Sequence, residues 1–251
     1  MRSSWLLLLS AATLLPAACA TAPEPATAAA IETQQLELLD PARNRRIPVL
    51  IYGAAARPRP LAVISHGYGG RNSAYSFLAH DLVRRGYLVA SVQHELPGDA
   101  EIATGGDNLA ARRRPNWQAG VDNIRHAAAE LRRRGLATSA PLVLVGHSNG
   151  GDMAMLMAEL HPREVAAAFS LDNRRQPLPR TASPRICSVR SSDQPADPGV
   201  LPTPEEQSRH TIRIAAAPVI HNDMWDGATP EQKAAMLALL DACLQGLPTR
   251  R

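Results

Sequence analysis

The residues of this chain best placed for chemistry stand in the run GHSNG, Gly146 to Gly150, where Ser148 has a glycine two residues away on either side. A serine hydroxyl attacks a carbonyl only when it projects from the fold beside a base and beside N–H donors for the oxyanion that forms. A tight turn from strand to helix gives that exposure, and it tolerates little bulk two residues from its apex. The apolar run LVLV precedes the turn, the helix-like DMAMLMAEL follows it, and Gly151 loosens it further. Ser148 is the candidate nucleophile; the competing reading is a turn serine that merely caps the helix.

A serine nucleophile needs a base and an acid, which in such a turn follow in the order Ser, Asp or Glu, His. Near the C-terminus the loop PVIHNDMWDG offers His221, between the last strand-like run and the last helix. For the acid, the loop SSDQPADPG after the run RICSV puts Asp193 first and Asp197 second, with Asp172 at the end of AAAFSLD as a third option. The carboxylate would hold the imidazole in the tautomer that accepts the serine proton. The oxyanion donors would be the backbone N–H groups of Tyr68, in the glycine-rich HGYGG, and of Asn149. The same glycines do not make a phosphate loop, since GYGGRNS lacks both the lysine and the spacing. No CxxC or metal-type Cys/His spacing is present, so neither metal nor organic cofactor is expected.

These residues need a scaffold that brings distant loops to one edge. Strand-like runs (QQLELLD, IPVLIYG, LAVIS, YLVASVQ, LVLVG, AAAFSLD, RICSV, TIRIAAA) alternate with helical ones, which predicts an α/β fold: a mainly parallel twisted sheet with helices on both faces. Helices are expected from Ala74 to a glycine cap at Gly86, from Pro115 to Gly135, after Ser148, and from Pro230, where Thr229 and Gln232 have capping-box spacing. With 251 residues, one large core suffices.

The first twenty residues read differently. Arg2 followed by WLLLLSAATLLPAA has the length of a signal peptide rather than a transmembrane helix. Ala18-Cys19-Ala20 fits ordinary signal peptidase, whereas PAAC resembles a bacterial lipobox in which residues 1–18 are removed and Cys19 is lipidated. Residues 21–31 would then be a flexible leader and residues 32–251 the folded domain. Export would make the protein periplasmic, membrane-anchored through that lipid alone, or secreted. An oxidising compartment would permit a disulfide between Cys187 and Cys243, which could equally be two buried small hydrophobes. The net charge of +4 comes almost wholly from arginine. RRRP at Arg112 to Pro115 and LRRRG at Leu131 to Gly135 flank one helix with no interleaved aromatics, so a solvated face is expected and nucleic acid is not.

In this order, SHGYGG, GHSNGG, DQPADPGVLP and HNDM resemble the α/β-hydrolase superfamily, and the opening DPARNRRIPVLIY followed by SHG is similar to its dienelactone-hydrolase-like and platelet-activating-factor-acetylhydrolase-like branch. The resemblance spans nearly all of Ile31 to Leu247. It implies an exported carboxylic ester hydrolase working through an acyl-enzyme on Ser148. Dienelactone hydrolases proper use cysteine where this chain has serine, which argues against that activity. About a dozen residues separate AAAFSLD from RICSV, too few for a helical lid, so short-chain or polymer-like esters are expected as substrates. A peptidase or amidase, an acyltransferase and a non-catalytic binding protein of the same fold are the alternatives.

Overall fold

The computed structural model describes residues 30–210 and 212–247. The signal-peptide and leader expectations, Cys19 included, lie outside these residues except for residues 30 and 31. Eight strands form one sheet in the order β1-β2-β4-β3-β5-β6-β7-β8. They are β1 (Thr33–Asp40), β2 (Arg45–Tyr52), β3 (Leu61–Ser65), β4 (Leu88–Val92), β5 (Leu142–His147), β6 (Val165–Leu171), β7 (Arg185–Arg190) and β8 (Ile212–Ala216). β1 pairs antiparallel with β2 and β2 with β4; every pairing from β4 to β8 is parallel.

The continuous apolar runs follow from burial on both faces. Along β5, Leu142 and Leu144 enter one core with Trp117, Ile124 and Met153, while Val143 and Val145 enter the other with Leu78, Phe169 and Leu240. The first core lies under α2 (Leu109–Arg133) and α3 (Asn149–Leu160), the second under α1 (Ser76–Arg84) and α5 (Pro230–Leu244). Burying each large side chain stabilises the fold by about 1.5–3 kcal/mol. Cys187 of β7 and Cys243 of α5 are joined by a disulfide, with Cα atoms 6.1 Å apart, so the pair is covalent rather than two separate small hydrophobes.

The caps of α5 form as its sequence suggests: Thr229 accepts from the Gln232 N–H and the Gln232 side chain accepts from Thr229. Two elements differ from expectation. α2 begins at Leu109, leaving Pro115 inside it rather than at its first position. The added turns are held from outside the helix, where Arg112 donates to Gly105 O and Arg113 to Ala103 O, both at 2.7 Å. Arg113 is consequently buried instead of lying on a solvated face. A short helix, α4 (Pro204–Arg209), also forms between RICSV and TIRIAAA, where none was expected, on a capping box between Thr203 and Glu206. Among the described residues no helix is long and apolar enough to cross a membrane.

Candidate active site

Ser148 stands between β5 and α3 with φ 50° and ψ −117°. The turn is so tight that a Cβ on Gly146 would lie 2.2 Å from Gly150 O, and one on Gly150 would lie 2.3 Å from Ser65 O. Both positions must be glycine. Four non-glycine residues among those described have positive φ: Asn44, Asn108, Ser148 and Asp172. Asparagine and aspartate enter that region at modest cost, so of the other two, Ser148 and Asp172, the serine marks strained backbone, and such strain concentrates at functional sites.

Those two residues meet at one histidine. His221, in a 3₁₀ turn (His221–Asp223) between β8 and α5, has its Nε2 2.9 Å from Ser148 Oγ and its Nδ1 2.6 Å from Asp172 Oδ2. The carboxylate fixes the proton on Nδ1, which leaves Nε2 free to accept from the serine. The structure therefore corrects the ranking of the acids. Asp193 accepts from the backbone N–H of His221 at 2.7 Å and does not reach the ring. Asp197 lies farther off, near Arg175, its own N–H bound to Arg174 O. Asp172 reaches the ring because it directly follows β6, the strand beside β5. The elbow is tied to the same strand end, since the Ser148 N–H donates to Leu171 O.

Asp172 is fully buried. Burial alone would raise its pKa, but the hydrogen bond with His221, the charge of Arg190 and the two donors of Ser191 together hold it below the usual carboxylate value. Ser191 Oγ donates to Oδ2 at 2.7 Å and its N–H to Oδ1 at 3.1 Å. The segment beyond Asp172 is anchored by buried Asp152, whose Oδ1 accepts the N–H groups of Arg175 and Gln176. Burial pushes the pKa of Asp152 up to about 6 against those hydrogen bonds.

Opposite the serine, the loop after β3 carries Tyr68. The Tyr68 and Asn149 N–H groups have no acceptor among the described residues, as oxyanion donors require. Their neighbours are pinned. Gly67 N–H donates to Tyr75 Oη at 3.2 Å, Gly69 N–H donates to Glu95, and the Asn149 side chain is held by Trp117 and Asn116. Tyr75 continues into a buried chain. His147 Nε2 must donate to the carbonyl of His221, so its Nδ1 accepts the Tyr75 O–H at 2.8 Å. Burial first, and the neighbouring His221 second, push the pKa of His147 down to about 3, and burial raises that of Tyr75 to about 12, so both stay neutral. The chain joins the oxyanion loop to the histidine loop.

A cleft of about 570 Å³ opens beside the serine, lined by Gly67, Tyr68, Tyr75, His147, Asn222 and Trp225. Tyr68 and Trp225 expose 42% and 44% of their surface, and Ile220 beside His221 exposes 44%. The connection from β6 to β7 carries no helix. Among the described residues no group of three His, Cys, Asp or Glu side chains is disposed to hold a metal ion.

An eight-stranded, mostly parallel sheet with a serine at the turn after its central strand is the α/β-hydrolase fold. A family model described as serine aminopeptidase, S33, matches residues 56–171. Lipase LipV of Mycobacterium tuberculosis is 34% identical over 108 residues, 42% of this chain and 39% of that relative, so the match spans well under half of the lipase. The solved structures it resembles include P91, a dienelactone-hydrolase-like promiscuous phosphotriesterase from metagenomic libraries, with TM-score 0.59, 12% identity, and 84% of this chain and 96% of that one covered. Another is the ferulic acid esterase of Streptomyces cinnamoneus, with TM-score 0.55, 22% identity, and coverage of 90% and 94%. At these identities the likeness establishes a dienelactone-hydrolase-like fold.

Sequence reasoning missed the roles of Tyr75, His147, Arg190 and Trp225. His147 was in view inside GHSNG, but its burial could not be read from the motif.

Proposed function

We propose that the protein is a serine hydrolase of carboxylic esters, working through Ser148, His221 and Asp172. The observation that carries this reading is the pair of contacts on His221, 2.9 Å to the serine oxygen and 2.6 Å to the buried carboxylate. His221 Nε2 takes the Ser148 proton as Oγ attacks the ester carbonyl. The Tyr68 and Asn149 N–H groups receive the oxyanion, and the imidazolium returns the proton to the departing alcohol. Water, deprotonated by the same nitrogen, then releases the acid from the acyl-enzyme. The similarity to a lipase and to an esterase fold supports ester over other acyl groups. An open cleft with exposed Tyr68 and Trp225 suits short-chain or polymer-like esters.

The partial match to a serine aminopeptidase model favours a second reading, hydrolysis of an amide through the same acyl-enzyme. We further propose export, as a lipoprotein on Cys19 or as a secreted protein, supported by the leader sequence and by the Cys187 to Cys243 disulfide. Hydrolysis of p-nitrophenyl esters from acetate to palmitate tests the main reading. Turnover is expected to fall with chain length and to drop by about 10⁵ or more in Ser148→Ala. Ser148→Ala turnover equal to wild type would sink it.

A further inference from the structure

The buried carboxylate of Asp172 carries one contact that a triad acid does not need. Its Oδ2 meets His221 and Ser191 Oγ, and its Oδ1 meets Ser191 N. Those neutral donors and the imidazole already orient it. Yet Arg190 Nη2 also lies 2.7 Å from Oδ1, on a side chain 11% exposed. The approach is too oblique for a hydrogen bond, so the contact acts through charge rather than direction. Arg190 Nη1 meanwhile donates to Asn173 O at 2.7 Å and to Ser188 Oγ, which fixes the guanidinium at the end of β7.

We propose that Arg190 is a positioning residue whose fixed positive charge keeps the His221 and Asp172 pair free of an extra proton, extending activity toward acid. The inference rests on the triad read above. A guanidinium stays charged throughout the working pH range, whereas a proton added to the pair would sit within a few ångströms of it. The apparent titration belongs to the pair, not to either member. The other groups around Asp172 do not supply this charge. β5 presents neutral His147, the histidine turn presents His221, and the loop after β7 presents Asp193 on the His221 N–H. α3 presents Asp152, whose pKa of about 6 makes it negative only toward neutral pH, where its field acts on Arg190. Beyond Asp172, Arg174 is turned away onto Gln194 and Pro195 O, and Arg175 toward Asp197. Apart from His221 itself, Arg190 is the one side chain paired with Asp172 as a cation among the described residues.

The test is the rate at which a fluorophosphonate probe labels Ser148, measured from pH 4 to 9 in wild type, R190Q and R190K. In R190Q the acid-side midpoint of the labelling rate is expected to rise by about one pH unit or more. In R190K, which keeps the charge without the fork, it should stay with the wild type. A purely structural role would lower the rate of both variants at every pH and leave the midpoint in place, and that outcome overturns the proposal. So does a rise in R190K as large as in R190Q. Should R190Q not fold, R190M takes its place, with the same rise expected and an unmoved midpoint overturning the proposal. A folded wild type that takes no probe at any pH removes the triad reading, and this inference with it; a labelled wild type with unmoved midpoints removes this inference alone.

Discussion

Two aspartates hold the same histidine by different atoms. Asp172 grips the ring nitrogen from a strand end with no exposure, and Asp193 grips the backbone N–H from a loop at the surface. One decides which imidazole nitrogen carries the proton; the other decides where the turn sits. Both carboxylates are held below their usual pKa by hydrogen bonding, Asp193 chiefly by the His221 N–H, and Asp172 by His221, Arg190 and Ser191 against its burial. A depressed pKa or closeness to the histidine therefore does not identify the acid. The atom contacted does.

The strongest way to break this contrast is Asp172→Asn. An amide can hold the ring in the wrong tautomer, and turnover should fall by about 10⁴; a variant within tenfold of wild type would return the acid to Asp193. The disulfide sharpens the comparison from the other side, because it ties β7, which leads to Asp193, to α5, which follows His221. It closes a loop with a sequence separation of 56, so a Cys187→Ala, Cys243→Ala variant should lose about 4 kcal/mol of stability in denaturant unfolding. An unchanged unfolding midpoint would count against that bridge.

Asp152 supports the Asp172 side. Its folded pKa of about 6 lies above the ordinary 3.8, so the native state holds a proton that the unfolded chain has already released. Stability relative to Asp152→Asn should then be greatest below pH about 4 and fall as pH rises through 6, by on the order of 3 kcal/mol. Paired unfolding curves at pH 4 and 7 measure it, and a difference independent of pH would refute it. The smallest effect belongs to Asp193→Asn. It keeps an acceptor for the His221 N–H, and turnover should fall by no more than about tenfold, as the ester assay would show; a loss comparable to Asp172→Asn would erase the contrast.

Much of the scaffold was legible in the chain. The elbow could be read because its requirement is local: glycines at fixed offsets, an apolar strand before and a helix after. The same holds for α5, whose cap lies within four residues. The aspartate that meets the His221 ring was not legible in this way. Asp172 and Asp193 both follow apolar strands, and what separates them is the place of β6 beside β5, which local composition does not encode. The start of α2 was obscured similarly, since the carbonyls that hold Arg112 and Arg113 lie seven and ten residues away in an irregular loop. The capping box of α4 was readable from Thr203 and Glu206 and went unread inside a proline-rich stretch.

The left-handed backbone at Ser148 and Asp172 bears on how this protein could be engineered. Holding serine there costs on the order of 1–3 kcal/mol, and aspartate, which enters the region more readily, costs less. The molecule is thus less stable than its topology permits, and by a margin concentrated on adjacent strand ends. A selection for thermal resistance alone would find glycine at these two positions attractive. Its winners would keep the sheet, the disulfide and the cleft while losing turnover, so a stabilising screen on this scaffold has to read activity alongside melting.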